Sequence, residues 1–214
     1  MDENKTKISA TLTSIKMLKT IGWGMLFILA TAYIFRNAIP YFSLDPEHFG
    51  RHWSHSGLLL THISFGIIAL FLGPFQFWSG LRNKYISLHR WIGRIYLVSI
   101  GISAIVAIYL LTIPERNLGF HVGVTGMAVA WLVTGSFAYI SIVRKQISLH
   151  KEWVIRSYAV TFGGFMFFRI LGQWMYAMDF ASGDVMSSIV SWTSWAVPLL
   201  ITEWVIQIRK IFHT

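Results

Sequence analysis

The chain has 214 residues, of which 55% are hydrophobic, 16% aromatic and only 13% charged. A soluble domain of that size needs about 25% charged residues to cover its wet surface. This composition therefore excludes a soluble enzyme, a disordered chain, a coiled coil and a secreted disulfide scaffold. No cysteine is present, so disulfides, thiolate catalysis and Cys-ligated clusters are excluded as well.

Long apolar runs predict six membrane spans at about 20–40, 57–80, 93–113, 119–143, 153–178 and 185–208. The basic leader and the small-residue ATA of the first run have the outline of a signal peptide. The apolar run continues through Tyr33, Ile34 and Phe35, so it is read as a retained first helix. The intervening segments are too short for a soluble domain. The expected fold is therefore all-α: one polytopic membrane bundle of six transmembrane helices, spanning residues 1–214.

Charge sets the expected orientation. With the N-terminus inside, Lys5, Lys7, Lys16, Lys19, Arg82, Lys84, Arg90, Arg94, Arg144, Lys145, Lys151, Arg156, Arg209 and Lys210 are cytoplasmic. Arg36, Arg51 and Arg116 remain outside, and Arg169 falls within a span. This bias predicts a multi-pass protein of the bacterial inner membrane with both termini cytoplasmic. The formal net charge of +9 is then a topology signal directed at anionic lipid, and no nucleic acid is needed to explain it.

An internal two-helix repeat follows from ISLHRWIGRIYLVSIG at 86–101 and ISLHKEWVIRSYAVTFGG at 147–164. His62 to His89 is 27 residues and His121 to His150 is 29. Two hairpins of one design predict His62 and His121 together near the outer face, and His89 and His150 together near the inner one. Ionisable residues are scarce inside membranes and point to function. Each pair of neutral imidazoles suits a bis-His heme b, giving one or two hemes. Gly66, with Ala69 and Gly73 on the face of His62, and Gly93 beside His89, would leave room for a macrocycle. The same small residues equally suit close helix packing. Arg94 and Arg156 stand where propionates need cations, although both also suit plain interfacial anchors.

Three further features stand out. His48, His52 and His55 would share one face if their segment were helical, and would bind metal there or belong to a wet loop. Arg169 lies about 28 Å along its helix from His150. It needs a heme propionate, Asp179, Asp184 or a carbonyl as partner. Gln76 and Glu203 are polar candidates without an assigned role.

The motifs GPFQF…LHRWIGRIY and LHKEWVIRSYAVTF…FR, over residues 73–169, resemble a bacterial family of uncharacterised multi-span membrane proteins. That resemblance implies family roles for Gln76, His89, Trp91, Gly93, Arg94, Tyr96, His150, Trp153, Arg156, Tyr158 and Arg169. The histidines on helices 2 to 5 are similar in arrangement to the cytochrome b561 family. That likeness implies an outer heme on His62 and His121 and an inner one on His89 and His150. The hairpins here are shorter than in that family, and its substrate-site signatures are absent.

The leading expectation is a membrane cytochrome carrying electrons between a quinol-like donor and an acceptor, with oxidoreductase activity following from that. An assembly factor or accessory subunit of a respiratory complex, or a homodimer of such a kind, is the alternative. A histidine-lined metal-ion carrier ranks last, because no span carries a carboxylate near its middle.

Overall fold

The computed structural model describes residues 27–113 and 117–212, with Met17, Ile21, Gly22, Gly24 and Met25 from the preceding segment. Among the described residues every regular element is helical. Helix α1, residues 27–33, runs into a π-helical turn, Ile34–Ala38, and a 3₁₀ turn, Ile39–Ser43. A short α2 (Pro46–Phe49) follows, then α3 (Ser56–Leu72), α4 (Ser79–Lys84), α5 (Ile86–Leu110) and α6 (Leu118–Val143). The chain ends with α7 (Ile147–Phe162), α8 (Phe168–Ala177) and α9 (Gly183–Phe212). A π-helical turn, Gly163–Phe167, joins α7 to α8 without a break.

Among the described residues, five helices are long and apolar enough to cross a membrane: His52–Phe77, Ile86–Leu110, Leu118–Val143, Ile147–Ala177 and Gly183–Phe212. The first predicted span, 20–40, lies partly outside the described residues; its part from residue 27 is helical and packs Ala30 against Leu70 and Met166. Most of the other spans begin earlier than their apolar runs. HRW and HKEW, read as loop, form the first turns of α5 and α7. A hydropathy reading starts a span after the last charge, whereas a helix at an interface can carry polar turns beyond the apolar band.

Packing is that of a membrane bundle. The large apolar side chains Ile105, Val129, Leu200 and Trp204 face outward, while Ala69, Ala104, Ser99, Ser103, Ser157 and Ser194 fill the interior. In lipid there is no hydrophobic gain from burying Leu against Leu, so small residues that allow close approach hold the helices together. Helix α5 lies between α3 and α6, and α6, α7 and α9 pack on one another.

Three helices meet at one buried hydrogen-bonded cluster. Tyr96 Oη on α5 lies 2.8 Å from Ser157 Oγ and 2.9 Å from Thr161 Oγ1, both on α7. Trp131 Nε1 on α6 donates to the same Thr161 oxygen at 2.7 Å. Helix α9 is fixed differently. Pro198 lies inside it and has no N–H, so the Ser194 carbonyl one turn earlier lacks its helical donor. That carbonyl stands over Gly163, with Pro198 beside it, at the start of the π turn. At the other end of α7, the Arg156 guanidinium is held by Glu203 of α9 at 2.7 Å and by Glu152 at 3.4 Å. Lys210 closes this network on Glu152 at 2.8 Å.

Two stability outcomes follow from this packing. A methyl group on Gly163 would land on the Ser194 backbone, which cannot rotate away. Gly163→Ala should therefore lower Tm in detergent by several degrees. Gly101→Ala on α5 has open space beside it and should raise stability by up to about 1 kcal/mol through helix propensity. Equal melting of the two variants would remove this account of the α7–α9 contact. Tyr96→Phe leaves Ser157 Oγ without its partner and should cost about 1–3 kcal/mol, read in the same melting experiment.

Candidate functional site

His89 and His150 each occupy the fourth position of their helix, α5 and α7. Both helices start at the same end of the bundle, because each is linked to α6 in antiparallel fashion. Tyr96 lies seven residues after His89 and Ser157 seven residues after His150, and these two are hydrogen-bonded. Seven residues are two helical turns, about 10.5 Å. The bond therefore places the two histidines at one depth, two turns below it. The imidazoles are near enough to interact electrostatically, with Arg82 and Arg90 also close to His89.

The ring chemistry of the pair is distinctive. His150 Nδ1 lies 2.8 Å from the Ala138 carbonyl oxygen. A carbonyl only accepts, so Nδ1 carries the proton and Nε2 keeps its lone pair. This is the arrangement that orients a metal-ligating histidine. His89 Nδ1 is buried with no hydrogen-bond partner, and so is Gln76 Nε2. The Gln76 amide lies beside Gly93, one turn along α5 from His89. Two orphaned polar nitrogens, one on α5 and one on the turn Gly73–Phe77 packed against it, are uncommon in a folded interior, where such groups find partners.

The surrounding residues take more structural parts than expected. Trp91 and Trp153 each carry an arginine three residues on. Arg94 stacks at 5.0 Å from the Trp91 ring, and Arg156 at 4.7 Å from the Trp153 ring. Arg94 is exposed, whereas Arg156 already has Glu203 and Glu152 as counter-charges. Arg156 was expected to neutralise a propionate, yet its charge is met within the protein. The signal was Glu203, noted in the sequence without a role. Tyr96 belongs to the three-helix cluster, and Tyr158 Oη donates to the Leu70 carbonyl at 3.2 Å. Both tyrosines thus tie helices together.

The structure gives the two expected outer ligands separate backbone partners. His62 Nδ1 donates to the Ser103 carbonyl at 3.0 Å, and its ring stacks on Phe165 at 6.0 Å. Phe165 also meets Trp131 edge-on at 5.8 Å. His62 also shares a cavity wall with Val124 and Met127 of α6, one to two turns past His121 on that helix. His121 instead donates from Nδ1 to the Asn117 carbonyl at 3.0 Å, beside the Asn117 cap of α6.

A cavity of about 210 Å³ does border His62, with Tyr33, Asn37, Tyr41, Met127 and Arg169 on its wall. This is below the roughly 300–1,000 Å³ of small-molecule sites. Phe165 fills the space beside Gly66. The residues at His62 thus do not fit a macrocycle, whereas His89 and His150 present two imidazoles at matched height.

Arg169 has neither Asp179 nor Asp184 as partner among the described residues. Asp184 instead accepts from Asn117 Nδ2, and the Tyr33 hydroxyl faces the guanidinium. The triad His48, His52 and His55 does not share one helical face. Gly50, at φ 52°, breaks α2 from the 3₁₀ turn Gly50–His55. His48 pairs with Asp45 at 3.1 Å and His55 with Ser54 at 2.9 Å. No group of three metal-ligating side chains is assembled among the described residues.

No curated protein and no solved structure matches the chain. The family model described as "Predicted membrane protein (DUF2306)" matches residues 59–206, from the fourth residue of α3 to the last third of α9. That stretch holds His89, His150 and the helices that align them, and the chain belongs to this family of membrane proteins.

Proposed function

We propose that the protein is a b-type membrane cytochrome with one heme, held by His89 and His150 at the basic end of the bundle. The observation that carries this reading is the matched pair itself. Two imidazoles stand at one depth on parallel helices, one with Nε2 poised as a ligand and the other without any hydrogen bond at its buried Nδ1. When bound, a heme supplies reversible one-electron chemistry, with the axial ligands setting its potential.

The chain supplies position and electrostatics. The Ala138 carbonyl fixes the tautomer of His150. The Tyr96–Ser157 bond fixes the relative height of the two helices. Gln76 Nε2 offers a hydrogen-bond donor beside Gly93, and Arg94, the next residue, an exposed cation. In this reading six helices cross the bacterial inner membrane in two repeated hairpins, with both termini cytoplasmic. The heme lies near the cytoplasmic face, and a quinol-like donor within the membrane would exchange electrons with it. The positive-inside count over the whole sequence supports that orientation.

A second reading has its own support. Phe165 occupies the space beside Gly66 and Gln76 that beside Gly93, as close helix packing in a non-catalytic assembly factor or accessory subunit of a respiratory complex would have it.

Absorption spectroscopy separates the two. Protein purified from a heme-replete host should be red, with a Soret band and a sharp α-band on reduction. Pyridine extraction should give about one heme per chain. His89→Ala or His150→Ala should abolish the α-band while the protein still inserts and elutes as folded material. His62→Ala and His121→Ala should keep full heme content and lower only Tm, since their rings bond to the backbone. Colourless wild-type protein with no extractable heme would favour the accessory-subunit reading.

A further inference from the structure

By the positive-inside reading of the sequence, four of the eighteen lysines and arginines fall away from the basic side: Arg36, Arg51, Arg116 and Arg169. Two of these, Arg36 and Arg169, line one open groove of about 450 Å³. Arg36 comes from the π-helical turn that ends the first helix, and Arg169 is the second residue of α8. Phe168, Gln173 and Tyr176 form the rest of the wall with Gly172.

Neither arginine has a carboxylate partner among the described residues. Every ion pair there involves Arg156, Lys210 or His48. Asp45 is taken by His48 and the Glu47 amide, and Asp184 is engaged with Asn117. The phenol of Tyr33 faces Arg169, but a neutral hydroxyl leaves the charge uncompensated. Two exposed guanidinium groups on one groove, with no carboxylate partner, form a cationic place that suits an anion.

The surroundings indicate which anion. Phe35 and Ile170, next in sequence to the two arginines, are 68% and 53% exposed. Such side chains at the surface of a membrane bundle face acyl chains. Phe168 and Arg169 also border the cavity behind the groove, whose wall includes Leu59, Ile63 and Ile67. The mouth is therefore cationic and its flanks apolar, which matches an amphiphile better than a free ion. Arginine forks suit phosphate oxygens in particular.

We propose that this groove binds the headgroup of an anionic phospholipid, with its phosphate between Arg36 and Arg169. The inference is independent of the heme reading. Basic pockets between transmembrane helices recognise headgroups in this way, at roughly 1 kcal/mol per basic residue.

The test is a titration of the full chain, purified in neutral detergent, with phosphatidylglycerol, read by native mass spectrometry. Phosphatidylcholine and inorganic phosphate serve as separate arms. Wild type should retain one phosphatidylglycerol in preference to phosphatidylcholine, and inorganic phosphate at equal concentration should not displace it. Arg36→Gln and Arg169→Gln should each weaken the binding about fivefold, the factor for about 1 kcal/mol. Arg209→Gln, an exposed cation at the other end, should leave it unchanged. Both arginines are exposed, so each variant should fold, and either one alone suffices for the test. Unchanged affinity in Arg36→Gln would overturn the proposal, as would equal binding of phosphatidylcholine. Displacement by inorganic phosphate would overturn the lipid assignment.

Discussion

The hydrogen bond between Tyr96 and Ser157 sets the register on which the rest of the molecule depends. Helices α5 and α7 run in the same direction but are not adjacent in sequence, so nothing local fixes their relative height. A hydroxyl pair buried in an apolar interior does so, because slipping either helix by one residue leaves two polar groups unpaired. Trp131 brings α6 into the same cluster through Thr161. Once this level is fixed, His89 and His150 are matched, and the two Trp–Arg stacks follow at the same end. The tyrosine thus acts as a positioning residue at two turns' distance from the candidate ligands.

A second constraint holds α7 from the other side. The sequence FGGF allows α9 to approach closely at Gly163, and Pro198 supplies a carbonyl that no helical N–H satisfies. A Cα–H donor beneath such a carbonyl is a weak compensation. The widened turn Gly163–Phe167 at this height is the kind of local rewinding that accompanies an intruding neighbour. Towards the start of α7, Arg156 and Glu203 pin the same two helices. Contacts at two heights leave α7 little freedom to tilt, which a two-histidine site shared with α5 requires.

Much of this was legible in the sequence, for identifiable reasons. Apolar run lengths located the five described spans, because burial in lipid demands continuous hydropathy and tolerates little else. Identical ISLH openings placed His89 and His150 at equivalent positions, since both are counted from the same helix start. The partners of the outer histidines were not legible in this way, because His62 bonds to the Ser103 carbonyl 41 residues away and His121 to Asn117 of its own helix cap. The partner of Arg156 was also invisible, because Glu203 is 47 residues away and only the antiparallel meeting of α7 and α9 joins them.

The two ends of the bundle differ in how they treat their cations, and this difference separates the two sites. At the end where α5 and α7 begin, the buried arginine is neutralised by the chain itself, through Glu152 and Glu203. Paired charges of this kind specify geometry more than they add stability, and they suit an end that must hold two histidines in register. At the opposite end, Asp45 engages His48 and Asp184 the Asn117 cap of α6. Arg36 and Arg169 are left facing a groove instead of a carboxylate. A cation that gained stability from a fixed internal partner would have one within reach of helices so closely packed. That these two lack one, while standing next to exposed Phe35 and Ile170, assigns their compensation to the surrounding membrane.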